Sequence, residues 1–173
     1  MRYYILLTLS LLPLVLPCHS ATPRHLVIAE SFVGVKEHGR NRGTVIDKIV
    51  LHGNGIKGQP YCAYFVHFCL DSAKVKLPNV HSGLATQYII NKSIKAGDVL
   101  AGIKQVEPGA IIIWRRGITK YGHIGFVYSW DRESGFVVEA NTTQKGIEGI
   151  WLKKEIIQPL NYFRIIAFTP VTY

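Results

Sequence analysis

The sequence predicts an α+β domain, with helices first and an antiparallel sheet after them. Three observations carry that reading. Apolar residues recur at helical spacing up to about residue 91. Beyond residue 105 the period changes to short β-branched and aromatic runs split by turn residues. No proline- or glycine-rich linker divides the two regions, so they read as one domain. The chain has 173 residues, 48% hydrophobic and 18% charged, enough for a sizeable core, and carries no low-complexity tract or repeat.

Residues 1–20, "MRYYILLTLSLLPLVLPCHS", stand apart as a secretory leader. Arg2 is their one basic residue, an apolar stretch runs from Ile5 to Leu16, and Cys18 and Ser20 precede a cut before Ala21. A membrane anchor fits less well, because the run is short and Pro13 and Pro17 interrupt it. Pro17 also makes Cys18 a poor lipoprotein acceptor. A single domain over 21–173, secreted or held in the periplasm or cell envelope, is therefore expected. Cleavage removes Arg2, so the formal charge falls by one from +9 and remains strongly basic. Such a surface favours anionic partners. With basic residues scattered and no aromatic ladder among them, nucleic acid is not expected to be one.

The mature region opens with Thr22 as a helix cap and Pro23 at the first helical position. Leu26, Ala29, Phe32 and Val33 then predict a helix running toward Gly39. "TVIDKIVLH" gives a second helix, with Ile46, Ile49 and Val50 on one face and Gly53 as its stop. After the loop "GNGIKGQ", Pro60 starts a third helix that ends near Ser72 and Ala73. A short fourth helix is expected from Ser82 to about Asn91. The strands follow: "GAIIIWRR", "HIGFVYSW", "GFVVEANT" and "RIIAFTPV", with "GIWLKKE" as a fifth.

"GQPYCAYFVHFCL" holds the chemistry. Pro60 at the first helical position leaves Cys62 in the first turn, beside backbone N–H groups with no intrahelical partner. The partial positive charge there favours thiolate, and the same N–H groups can hold an oxyanion. A buried structural cysteine is the competing reading, and it is the one adopted for Cys69, two turns deeper. The two are seven residues apart in one helix, a rise of roughly 10 Å, which forbids a disulfide between them. Free thiols in an exported protein ask for a reason.

A cysteine nucleophile needs a base. His25, His38, His52 and His81 fall at helix ends or in loops, and His67 lies about 140° around the helix from Cys62. No two histidines show zinc-motif spacing. His123 opens "HIGFVYSW", where a side chain can project from the sheet toward a helix N-terminus. Strand alternation supplies a third member. If "HIGFVYSW" pairs with "GFVVEANT" through the "DRES" turn, the bulky faces coincide when Ser129 meets Gly135. His123 then lies opposite Asn141 and diagonal to Glu139, and either residue can orient the imidazole.

These stretches resemble the CHAP domain, the cysteine- and histidine-dependent amidohydrolase/peptidase family. "GQPYCAYFVHFCL", the upstream "VGVKEHGRNRGTVIDK" and the downstream "YGHIGFV" and "VVEANTT" occur in the family's order, and the resemblance spans Leu26 to Phe168. It implies a papain-like fold that cleaves amide bonds in peptidoglycan, as an amidase or an endopeptidase. By position, Cys62 would be the nucleophile, His123 the base, Glu139 the orienting group and Asn141 its supporting partner. Tyr61 stands where the family often has tryptophan, and Ala110 where an aspartate is common. Some members bind calcium through clustered aspartates ahead of the cysteine. Here residues 40–61 contain only Asp47, so no calcium, other metal or cofactor is expected. A monomer acting on peptidoglycan, without stable membrane insertion, is the resulting expectation. A secreted antibacterial toxin or transfer-apparatus component with an immunity protein, and a non-catalytic wall-binding module, are the alternatives.

Overall fold

The computed structural model describes residues 21–75 and 83–172. The leader at 1–20, and His81 and Ser82, lie outside them. Helices α1 (Arg24–Glu30), α2 (Thr44–His52) and α3 (Cys62–Ser72) come first. A 3₁₀ turn (Ala85–Tyr88), the short β1 (Ile94–Lys95) and α4 (Ala96–Leu100) lead into the sheet. Its remaining strands are β2 (Ile111–Arg116), β3 (Gly122–Asp131), β4 (Ser134–Gln144), β5 (Ile147–Ile156) and β6 (Phe163–Thr169). All pair antiparallel in the order β1-β6-β2-β3-β4-β5.

Two layers of side chains flank this sheet. Ile113, Ile124, Phe126, Val138 and Ile150 project from one face onto the first three helices. There they meet Leu26, Ile46, Ile49, Phe65, Val66 and Cys69, all at most 1% exposed. Each such Ile, Leu or Phe contributes about 1.5–3 kcal/mol by leaving water. On the other face Ile112, Val127, Val137 and Phe168 pack with Ala96 and Val99 of α4. His25 is wholly buried on α1, with Nε2 2.7 Å from the Gly109 carbonyl. Burial lowers its pKa, so its role is a neutral link between α1 and the start of β2.

Helix α2 occupies the predicted residues, and β2 to β6 follow the predicted runs, whereas β1 is an additional short strand the sequence does not announce. Five local expectations are corrected. Pro23 is the cap of α1, whose first helical residue is Arg24, so Thr22 lies one residue before the cap. Helix α1 ends at Glu30 instead of running to Gly39, because Gly34 turns at φ 96°. The chain beyond it then runs against β5: Gly34 N–H donates to the Ile150 carbonyl, and Ile150 N–H donates to that of Val35, both at 2.9 Å. Gly149 permits this approach, since a Cβ there would collide with the Val35 carbonyl oxygen. Helix α3 starts at Cys62 with Tyr61 as its cap, so Pro60 precedes the cap rather than occupying the first helical position. The expected fourth helix shrinks to the 3₁₀ turn, bounded by extended Leu84 and Ile89. Finally, β3 bulges between Val127 and Ser129, so Ser129 pairs with Phe136 and not with Gly135.

Cys69 is wholly buried, and burial raises its pKa well above that of an ordinary thiol. Cys69→Ala is expected to cost about 1–2 kcal/mol of stability through the void it leaves. Denaturant titration should show this loss while hydrolytic activity is retained.

Candidate active site

The site is assembled where the start of α3 meets the ends of β3 and β4. Cys62 is the first helical residue, so its own N–H and those of Ala63 and Tyr64 have no carbonyl one turn before them. The Cys62 residue is only 7% exposed, and its thiol is near enough to His123 to act on the imidazole's charge. The His123 Nε2 faces Glu139 Oε2 at 2.9 Å, which leaves Nδ1 for the thiol. The three side chains therefore stand in line: sulfur, imidazole, carboxylate.

Register explains the alignment. Gly125 of β3 pairs with Glu139 of β4, which puts His123 and Glu139 on one face of the sheet and diagonal to each other. Between them Gly125 has no side chain. A Cβ there would come within 2.7 Å of the Val138 carbonyl and 3.2 Å of Glu139 Cγ, so any other residue would displace the carboxylate. Trp114, opposite His123 on β2, covers the imidazole with its ring centroid 5.2 Å away.

Asn141 does something other than face His123. It sits at φ 59° where β4 bulges, and the β4–β5 pairing steps from Ala140 to Thr142 past it. The bulge takes its side chain out of the strand alternation. Its Oδ1 accepts the Tyr61 N–H at 3.1 Å, and its Nδ2 donates to Asn41 Oδ1 at 2.9 Å. Asn41 in turn donates through Nδ2 to the Gly58 carbonyl at 3.1 Å, and its N–H donates to Glu37 Oε2 at 2.6 Å. Asn141 thus holds the helix cap next to the cysteine, and the expected opposition of His123 and Asn141 is replaced by this link. Asn41 was not singled out from sequence. Its setting in "GRNRG" was the available signal, since asparagine tolerates the positive φ of 53° found there.

Lys153 and Glu155 are two further residues the sequence reading passed over. They alternate along β5 on the face that carries Glu139. Lys153 Nζ lies 3.8 Å from Glu139 Oε2 and 3.5 Å from Glu155 Oε1, and donates to Thr142 Oγ1 at 3.0 Å. Burial, then the charge of Glu139, push Glu155 up to about 7, with Lys153 opposing. Burial also acts against ionised Glu139, yet His123, through its hydrogen bond and charge, and then Lys153 hold its carboxyl below the usual range. For His123 burial is again the largest influence and disfavours the cation. Hydrogen bonds and charge attraction to Cys62 and Glu139 outweigh it and carry the imidazole up to about 10. This pairing contributes stability that is fully present below pH 6.5 and is lost as pH rises through about 10.

The line of side chains opens into a cleft of about 870 Å³, whose walls include Pro60, Tyr121, Thr142, Phe163 and Arg164. Among the described residues, no group of three or more His, Cys, Asp or Glu side chains is placed to hold a metal ion. A helix-terminal thiol, a sheet-borne imidazole and a carboxylate behind it, on an α+β frame of this order, define a papain-like thiol hydrolase. The profile of the CHAP domain family matches residues 52–141, more than half of the chain and the whole span from α3 to Asn141. The chain belongs to the CHAP family, whose activity is that of a cysteine- and histidine-dependent amidohydrolase or peptidase. No curated protein matches it with significant similarity.

Two variants separate the roles of the β4 residues. Glu139→Gln should lower kcat/KM by about a hundredfold or more. It should also move the alkaline limb of the pH profile, expected near 10 from His123, to lower pH, because one source of the raised value is gone. Asn141→Ala should cost about tenfold through misplacement of the helix start and leave that limb in place.

Proposed function

We propose that this protein is an exported peptidoglycan hydrolase that cuts amide bonds with Cys62 as nucleophile. The observation that carries the proposal is the alignment of Cys62, His123 and Glu139 at the wall of an open cleft. His123 takes the thiol proton, and the thiolate attacks the carbonyl carbon of a scissile amide. The resulting oxyanion is held by N–H groups at the start of α3, which are free of intrahelical bonds and carry the positive end of the helix dipole. His123 then gives its proton to the leaving nitrogen as the C–N bond breaks, so an amine departs and a thioester remains. Water attacks the thioester while His123 takes its proton. The acid is released and the Cys62 thiolate returns.

Glu139 stays ionised throughout. Its hydrogen bond fixes the ring so that Nδ1 addresses sulfur and substrate, and its charge stabilises the imidazolium. Family membership and this geometry support amide hydrolysis. The choice of peptidoglycan as substrate rests on the leader sequence and on the strongly basic chain, +9 overall, which would be attracted to anionic wall material.

Incubation with purified peptidoglycan tests the proposal. Mass spectrometry should find fragments bearing one new amine and one new carboxylate per cut. Their identity will decide between the N-acetylmuramoyl–alanine bond and a bond within the peptide. Cys62→Ala and His123→Ala should abolish release, by about a thousandfold or more; Cys62→Ala should melt close to the parent, whereas His123→Ala should melt lower because it leaves Glu139 buried without its imidazole partner. Chelators should leave the rate unchanged. An intact wall after treatment with the parent enzyme, under conditions where it hydrolyses a small amide or ester, would remove peptidoglycan as the substrate.

A further inference from the structure

Two loops beside the cleft carry side chains that neither the fold nor the catalytic line uses. One joins β2 to β3 through residues 117–121, and the other joins β5 to β6 through residues 157–162. They are tied together: Gly117 N–H donates to the Tyr162 carbonyl at 2.7 Å. The Tyr162 ring also lies where a Gly117 side chain would be. Ile118 at the first tip is 96% exposed and Leu160 at the second is 101% exposed. Tyr121 and Tyr162 follow at 59% and 63%, with Phe163 at 40%. Isolated exposed apolar residues are ordinary, but four on two adjoining loops, with Phe163 at the start of β6 beside them, form a patch.

Within the two stretches that carry the patch, the charges all have one sign. The stretches "WRRGITKYG" (114–122) and "IIQPLNYFR" (156–164) contain Arg115, Arg116, Lys120 and Arg164 and no Asp or Glu. Lys120 Nζ lies 5.6 Å from the centre of the Tyr121 ring, so cation and aromatic share one end of the loop. Aliphatic tips, tyrosines behind them and cations at the rim match the layers of an anionic bilayer surface: acyl chain, headgroup boundary and phosphate. A polysaccharide would use the cations but gives Ile118 and Leu160 no reason to leave water.

We infer that these two loops dock the protein onto an anionic phospholipid surface, with Ile118 and Leu160 entering the acyl boundary. Tyr121 and Phe163 belong both to this patch and to the cleft wall. The cleft mouth therefore opens at headgroup level when the loops are seated. The contact is peripheral, since no helix among the described residues is long and apolar enough to cross a membrane.

The test places a reporter at the tip itself, so that any affinity of the leader for lipid does not decide the result. Full-length protein carrying Leu160→Trp is mixed with vesicles whose acyl chains are brominated, made of phosphatidylcholine with or without phosphatidylglycerol. Quenching of the added tryptophan, beyond that of the parent, is expected on the anionic vesicles and should weaken on neutral vesicles or in high salt. In the same chain Ile118→Ser with Leu160→Ser should lower vesicle affinity about tenfold. Lys120→Glu should lower it on anionic vesicles only. An unquenched Trp at position 160 while the protein is vesicle-bound would overturn the inference. So would unchanged affinity in the double variant, or capture by purified wall polymer without quenching on any vesicle.

Discussion

The hydrogen bond from the Tyr61 amide to Asn141 Oδ1 joins two bodies that would otherwise set the site's geometry independently. Cys62 belongs to a helix packed on one face of the sheet, whereas His123 and Glu139 project from the other. Thiol and imidazole meet only because the helix begins at the end of the strands, where its first turn reaches past the sheet. Asn141 fixes that position from the strand that also carries Glu139, two residues away. The bulge is the device: a positive φ at Asn141 turns its carboxamide to the helix cap while Glu139 stays beneath the imidazole. The other end of the carboxamide donates to Asn41, which is itself held by the Gly58 carbonyl, so Asn141 cannot rotate without breaking both of its bonds.

Charge along the site follows from the same arrangement. A buried carboxylate and a buried imidazole each pay for leaving water, and each is the other's compensation. That compensation does not stop at the pair. Lys153 stands between Glu139 and Glu155, and Glu155 keeps its proton to about 7. Protonated, Glu155 adds no second negative charge beside Glu139. Ionised, it competes with Glu139 for Lys153.

Legibility in the sequence followed the range of the interactions. Helix α2 and the strand runs were readable because local periodicity and packing agree there. The candidate nucleophile was readable because proline, cysteine and an apolar helix fall within a few residues of each other. His123 and Glu139 needed only a two-strand alternation, and the bulge at Tyr128 lies beyond Val127, so the pairing between Gly125 and Glu139 was unaffected by it. Asn141 was placed on the right strand but given the wrong neighbour, since alternation has no means of announcing a positive φ. The end of α1 was missed because Phe32 and Val33 keep helical spacing while the backbone beyond Gly34 pairs with β5. Lys153 and Glu155 read as an ordinary charged strand face. Only the burial supplied by β4 gives them consequence.

The spacing of Cys62 and Cys69, the free cysteines among the described residues, also fixes how the enzyme meets oxidants. Cys69 lies wholly buried two turns below Cys62 in the same helix, roughly 10 Å further along its axis. A sulfenic acid formed on Cys62 would therefore find no resolving thiol within the described domain, because disulfide geometry requires Cα atoms within about 7 Å. Repair depends on a small thiol diffusing into the cleft. Where none is supplied, oxidation proceeds to the sulfinic state and the loss becomes permanent. The fold that aligns Cys62 for attack on an amide thus makes the lifetime of the enzyme a property of its redox surroundings.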